Sequence, residues 1–242
     1  MKYFYILSVV LMISCKPLKK DFTAQYIIDK SIINSGANKV SNAEITFKFR
    51  NKKYSAKRNN GRFILTRDFD SIKDVLSNSG FQRFVNKKEI KVTDLMASKY
   101  TNSVNSVHYF SALPYGLNDK AVQEKRLPSS TIKGKDYYKI EVTFSENGGG
   151  EDFEDVFIYW IGKEDFLVDY LAYSYHTNGG GKRFRALKEQ ITKNGIRFAN
   201  YDNYKPINKS ISLINIDEAF EAEQLQKISE IILEDIKVDI LD

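Results

Sequence analysis

The sequence predicts a domain of the α+β class, mostly antiparallel β, in which a large, strongly curved sheet carries an N-terminal helix and a second, interrupting helical segment. Three observations predict it. The apolar period changes from about four to two after Gly36, the later half is a series of long alternating stretches joined by Gly/Asn turns, and the chain holds 15 Tyr and 16 Phe against 4 Pro and one Trp. Aromatic residues suit the half-buried, pleated surface of a strand. With 42% hydrophobic residues, the stretch from Asp21 to Asp242 is rich enough to fill the core of a single domain.

In chain order, residues 1–14 read as a signal peptide: Lys2, an apolar run from Tyr3 to Ser14, then Cys15, the one cysteine of the chain. The run is shorter than the roughly 20 residues a spanning helix needs. The stretch Leu11-Met12-Ile13-Ser14-Cys15 resembles the lipobox of bacterial lipoproteins. That resemblance implies cleavage before Cys15, a diacylglycerol on its thiol, and residues 15–20 as a lipidated N-terminus and linker. Several acyl chains, at about 0.8 kcal/mol per buried methylene, make such an anchor effectively permanent. The alternative is an ordinary secretory signal with an incidental cysteine.

From Asp21 to Gly36, Ala24, Ile28 and Ile32 recur every four residues beside Ile27, with Asp21 or Thr23 to cap the start and Gly36 to end the helix. Strands follow. Ile45, Phe47 and Phe49 alternate with Thr46, Lys48 and Arg50, and Asn59-Asn60-Gly61 turns the chain back toward Phe63 and Leu65. The basic stripe Lys48, Arg50, Lys52, Lys53, Lys57, Arg58 and Arg62 reads as a solvated sheet face, or as a surface for a membrane or an acidic partner. Leu95, Met96, Tyr100, Val104 and His108 suggest a helix between Val92 and His108. The aromatic segment from Tyr109 to Asp119 carries Pro114 and Gly116 and must be an irregular loop over a core or at a pocket mouth.

Strands are expected from Tyr137 to Phe144, Asp155 to Ile161, Phe166 to His176, Arg183 to Thr192 and Ile196 to Tyr204, with turns at the two glycine triplets, at Gly162 to Asp165, and at Asn194-Gly195. Connections this short make neighbours antiparallel, and strands this long demand curvature. A short helix near Ile216 to Leu225 and one final strand within Ile228 to Leu241 complete the chain. The formal net charge of +6 hides a polarity, because residues 214–242 hold nine acidic side chains and two lysines.

This order of elements resembles the lipoprotein-carrier fold of the LolA and LolB type, an open half-barrel with a helical lid. The phrases Leu113-Pro114-Tyr115-Gly116-Leu117-Asn118-Asp119, Asp155-Val156-Phe157-Ile158-Tyr159-Trp160-Ile161 and Gly195-Ile196-Arg197-Phe198 are similar to a group of uncharacterised Bacteroidetes-type lipoproteins. The resemblance implies an apolar ligand, such as an acyl chain, on the inner face of the sheet. It also implies an outer-membrane lipoprotein, and the residues after Cys15 lack the acidic cluster that resembles a surface-export signal, which favours the periplasmic face.

An open curved sheet that its helices cover only in part leaves a pocket, and Trp160, Phe166, Tyr170, Pro114 and Tyr115 are the expected ligand-binding residues, although each also reads as ordinary core. Which sheet face points inward is left open, since the register across the Gly162 turn is not fixed. No catalytic residue, metal site or cofactor is expected. His108 and His176 stand at no metal-ligand spacing, and Ser111, Ser174 and Asp119 lie near a histidine without a nucleophile-elbow pattern. Glu146, Glu151, Asp152, Glu154 and Asp155 match no calcium loop. Nucleic acid is an unsuitable partner for an exported chain. The rival readings are an accessory module that binds an envelope protein through its basic face, and an enzyme on the same scaffold.

Overall fold

The computed structural model describes residues 21–145, 154–176 and 179–241. The expected signal peptide, Cys15, the first glycine triplet and Glu146, Glu151 and Asp152 lie outside the described residues. Helix α1 (Ala24–Asn34) begins where the Thr23 hydroxyl accepts the Tyr26 N–H at 3.2 Å, and it buries Ile27, Ile28 and Ile32. It ends at Gly36, whose backbone is left-handed (φ 70°); a Cβ there would fall 1.8 Å from the Gly195 carbonyl oxygen. Only glycine serves at that point, where the loop after α1 meets a distant hairpin and the Arg197 N–H bonds the Ser35 carbonyl at 2.8 Å.

A 3-10 turn (Ala37–Asn42) leads into a meander of β1 (Ala43–Phe49), β2 (Lys52–Asn59), β3 (Arg62–Phe69), β4 (Ile72–Ser77), β5 (Gly80–Val85) and β6 (Lys88–Ile90). Helix α2 (Asp94–Ser111) follows, capped by Thr93. Then come β7 (Val122–Ile132), β8 (Lys135–Phe144), β9 (Val156–Gly162), β10 (Val168–Tyr175), β11 (Gly181–Lys193) and β12 (Ile196–Pro206), the short helix α3 (Ile216–Glu221), β13 (Leu225–Ile231) and β14 (Leu233–Ile240). The single final strand expected near the C-terminus is thus two. The chain breaks at Ile232 and changes partner, β13 pairing with β12 and β14 with β1.

That change of partner organises the molecule. Two open seven-stranded antiparallel sheets result, one in the order β14-β1-β2-β3-β4-β5-β6 and the other β13-β12-β11-β10-β9-β8-β7, continuous in chain at Ile232. At this seam Val40, Ile45, Phe47, Ile196, Phe198, Leu233 and Val238 form one cluster that closes the sheets against each other.

The two interior helices rest on different sheets, and α2 also reaches across to the second through Tyr109 and Phe110. Helix α1 lies on the second sheet, packing Ile27, Ile28 and Ile32 with Tyr138, Ile140, Tyr159 and Ile161. Helix α2 lies on the first sheet, where Val104 meets Ala56 and Leu65. A buried ion cluster reinforces it: Asp74, with no exposed surface, accepts from both Arg67 and Arg83, the Arg67 guanidinium also donates to Ser103 of α2, and Arg83 sits 3.3 Å from the Tyr100 ring centroid. Both oxygens of that carboxylate accept from a guanidinium, which is the condition under which a buried charge is tolerated.

The outer face of the second sheet is filled separately. Ile158, Trp160, Tyr170, Ala172 and Phe184 pack beneath Ile216 and Ala219 of α3. The Trp160 indole N–H donates to Asp217 at 3.0 Å and to the Ser130 hydroxyl at 3.1 Å, while Lys139 donates to Asp217 at 2.8 Å and also bonds the Ile214 carbonyl. No helix among the described residues is long and apolar enough to cross a membrane.

Candidate functional site

The inner space between the sheets is not filled. Two cavities, of about 440 and 380 Å3, flank α2 and share Ser106, Phe110 and Phe157 in their walls. Their placement follows from the helix itself. Successive residues turn by about 100°, so Val104 and His108 face the first sheet, Val107 and Ser111 face one cavity, and Asn102, Asn105 and Tyr109 face the other. Phe110 and Phe157, with ring centroids 6.3 Å apart, form the partition.

The first cavity is bounded by Val107, Phe110 and Ser111 of α2, by Phe157, Tyr173, Arg183, Arg185 and Tyr201 of the second sheet, and by Ile231 and Leu233 at the seam. The second lies under the loop after α2 and takes in Arg58, Phe63, Leu65, Tyr115, Asp119, Val122 and Phe144. Both volumes fall in the range typical of small-molecule sites, and both combine an aromatic lining with a few polar groups. Burial weakens the acidity of Asp119 and pushes the Tyr115 and Tyr201 phenols up.

Across the partition, α2 is tied to the second sheet by a hydrogen bond of 2.8 Å between the Tyr109 and Tyr159 hydroxyls. Desolvation raises the pKa of both phenols, so both stay protonated at any physiological pH. Behind the helix, the His108 Nε2 bonds the Thr66 carbonyl at 3.0 Å, with Phe47 and Tyr54 edge-on to the ring. Burial lowers its pKa to about 4, and the neighbouring Arg58 charge adds to this. His108 is thus a neutral group buried against the first sheet at the edge of the second cavity, its Nδ1 without a partner among the described residues. Ser111 donates to the His108 backbone carbonyl rather than to its ring. His176, at the rim, faces Asp155 at 3.4 Å, and no cluster of three or more metal-ligating side chains occurs among the described residues.

The five expected ligand residues separate. Tyr115 lines the second cavity, with Pro114 buried beside it in the same loop. Phe166 packs with Phe22, Tyr26 and Tyr138 over α1, away from both cavities. Trp160 and Tyr170 face the outer side, in the packing under α3. The reason lies in the strands. β9 is buried on both faces, so its sequence has no polar side to mark the outside. A bulge between Val168 and Tyr170 then shifts the phase of β10, placing Val168, Leu171 and Tyr173 on the inner face together.

The sequence gives Phe110, Phe157, Tyr173, Arg185 and Tyr201 no individual mark as lining residues. Arg58 belongs to the basic stripe expected to face solvent or a partner, yet it is 9% exposed and lines the second cavity. Its alternation with Tyr54 and Ala56, both inward, was the available signal. Of the remaining stripe, Lys48 pairs with Asp235 and Lys57 with Glu44 at the surface.

Two solved structures share this architecture. A DUF1329 family protein from Desulfovibrio piger superposes with a TM-score of 0.54 at 11% identity, covering 90% of this chain and 94% of its own. A LolA superfamily protein from Nitrosomonas europaea gives 0.51 at 12% identity, covering 92% and 96%. At such identity the likeness is one of fold. No curated protein sequence matches the chain. A family model does match residues 1–234, and the chain belongs to that family, DUF6503, a family of unknown function with a LolA-like fold.

Proposed function

We propose that the protein is a membrane-anchored lipoprotein of the cell envelope, held through Cys15 and facing the periplasm, that binds or carries an apolar ligand such as a lipid acyl chain between its two sheets. The observation that carries the reading is the pair of aromatic-walled cavities beside α2. Open apolar volume inside a protein forfeits dispersion contacts and hydrophobic burial, so space of this size has a use when a guest fills it. The residues assigned to the ligand are Phe110, Phe157, Tyr173 and Tyr201 in the first cavity and Tyr115 in the second. Helix α2 then acts as the wall that both cavities share, tied to the second sheet by the Tyr109–Tyr159 hydrogen bond. The scaffold shared with a LolA superfamily protein supports the same reading by analogy of fold.

Gentle purification followed by native mass spectrometry and solvent extraction tests it. The protein is expected to carry acyl-containing species that Ala199→Phe, which fills the first cavity, displaces. Protein that emerges without any apolar guest, and accepts none on incubation with fatty acid, overturns the proposal.

A further inference from the structure

The described residues contain five arginines that expose a tenth of their surface or less: Arg58, Arg67, Arg83, Arg185 and Arg197. Three are matched by acids. Arg67 and Arg83 share Asp74, and Arg197 pairs with Asp169 at 3.2 Å while donating to Gln190 and to the Val168 carbonyl. The other two have no carboxylate within ion-pair distance among the described residues, and they are the two that line the cavities.

Arg185 is the sharper case. It projects from β11 into the first cavity and is 8% exposed, its guanidinium carbon 3.9 Å from the Phe110 ring centroid and 5.3 Å from that of Tyr173. One nitrogen donates to the Tyr173 hydroxyl at 3.2 Å, while the buried Nε has no partner among the described residues. A guanidinium offers five N–H donors in a planar fork, and leaving them desolvated and unmatched is costly. Arg183, two residues along the same face of the strand, adds a second cation to the lining. Asp155, the acid in that lining, stands against His176. In the second cavity, by contrast, Arg58 shares the wall with Asp119 and stacks on Tyr115 at 5.2 Å.

We infer that Arg185 is the counter-charge for the anionic headgroup of an amphipathic ligand, a carboxylate or a phosphate, whose chain lies along Phe110, Phe157 and Tyr201. The inference rests on the apolar-ligand reading and adds to it a headgroup class and an orientation. The fork of Arg185 takes two oxygens of the headgroup at the Nε edge, and the Phe110 and Tyr173 rings hold the guanidinium plane in place.

Displacement of a fluorescent acyl probe from the purified protein tests this with two matched pairs: palmitate against methyl palmitate, and phosphatidylglycerol against diacylglycerol. At least about a tenfold preference for the charged member of one pair is expected, from the usual strength of a charge-assisted hydrogen bond. The pair that shows it identifies the headgroup. Arg185→Met should bring that preference within about twofold. Equal binding of charged and neutral members by the unaltered protein overturns the inference and leaves the apolar-ligand reading standing; it needs no variant that folds. A preference that survives Arg185→Met overturns the assignment to this residue. Failure of all four lipids to displace the probe overturns both readings.

Discussion

The two faces of the second sheet carry similar residues to opposite ends. On the outer face, Trp160, Tyr170 and Phe184 are packed under α3, and the polar atoms among them are matched: the indole N–H and the Lys139 ammonium both converge on Asp217. On the inner face, Phe157, Tyr173 and Tyr201 border open volume, and a guanidinium lies there with its Nε unmatched. Aromatic content therefore does not mark a site. Unfilled volume together with unsatisfied hydrogen-bonding capacity does, because a core closes both and a binding surface leaves both for its ligand.

The largest expected effect breaks the outer face. Asp217→Ala leaves the buried Lys139 ammonium without its counter-charge and takes one of two acceptors from the Trp160 indole N–H, and urea denaturation should register a loss of about 3–5 kcal/mol; a loss below about 1 kcal/mol would mean that α3 is held by apolar packing alone. Next is acid. The pKa of His108 is lowered to about 4, against an ordinary value of 6.5, so its contribution is complete above pH 6.5 and is lost as pH falls through 4. The unfolded chain binds the extra proton, and up to about 3 kcal/mol should disappear across that interval. His108→Gln should flatten this part of the stability profile, measured by thermal melts between pH 7 and 4.

A paired substitution sharpens the contrast between faces. Ala172→Leu adds bulk to the filled side and should cost about 1–3 kcal/mol, whereas Ala199→Leu adds it to the cavity side and should cost less than about 1 kcal/mol. Equal penalties in calorimetry would show the inner volume to be less accommodating than its walls suggest. Tyr109→Phe tests the tie across the partition. Removing one hydroxyl from the buried Tyr109–Tyr159 pair should cost about 1–2 kcal/mol and speed ligand exchange, read by probe release.

Much of this fold is legible in the residues. The four-residue spacing of Ala24, Ile28 and Ile32, the period-two run from Ile45 to Phe49 and the Asn194-Gly195 turn each give a local instruction that the tertiary structure obeys. The strands β4 to β7 lack comparable apolar alternation. β6 is exposed throughout, and β7 runs Val122-Gln123-Glu124-Lys125-Arg126 before its first buried residue, so pairing with neighbours sets them rather than their own pattern. The switch at Ile232 is equally silent, because Ile231, Ile232 and Leu233 are apolar on either side of it. For the candidate site, the sequence singles out β9, β10 and Tyr115, which border the cavities, but not a face. β9 is apolar throughout, and the β10 bulge depends on pairing that no single strand encodes. Nothing in the sequence sets Arg185 apart from the other 36 Lys and Arg residues; its partnerless Nε, among the described residues, is visible only in the folded surroundings.

The one tryptophan of the chain offers the most direct measurement. Emission from Trp160 on the outer face can be compared with that of a Trp160→Phe, Phe110→Trp variant, whose indole sits in the cavity partition, while a brominated fatty acid is titrated and its uptake measured in parallel. Bromine quenches on contact. With ligand bound between the sheets, Trp160 should keep its emission and the residue 110 indole should lose most of its own. Strong quenching of Trp160, with the cavity indole unaffected, would place the ligand on the opposite face and contradict the account.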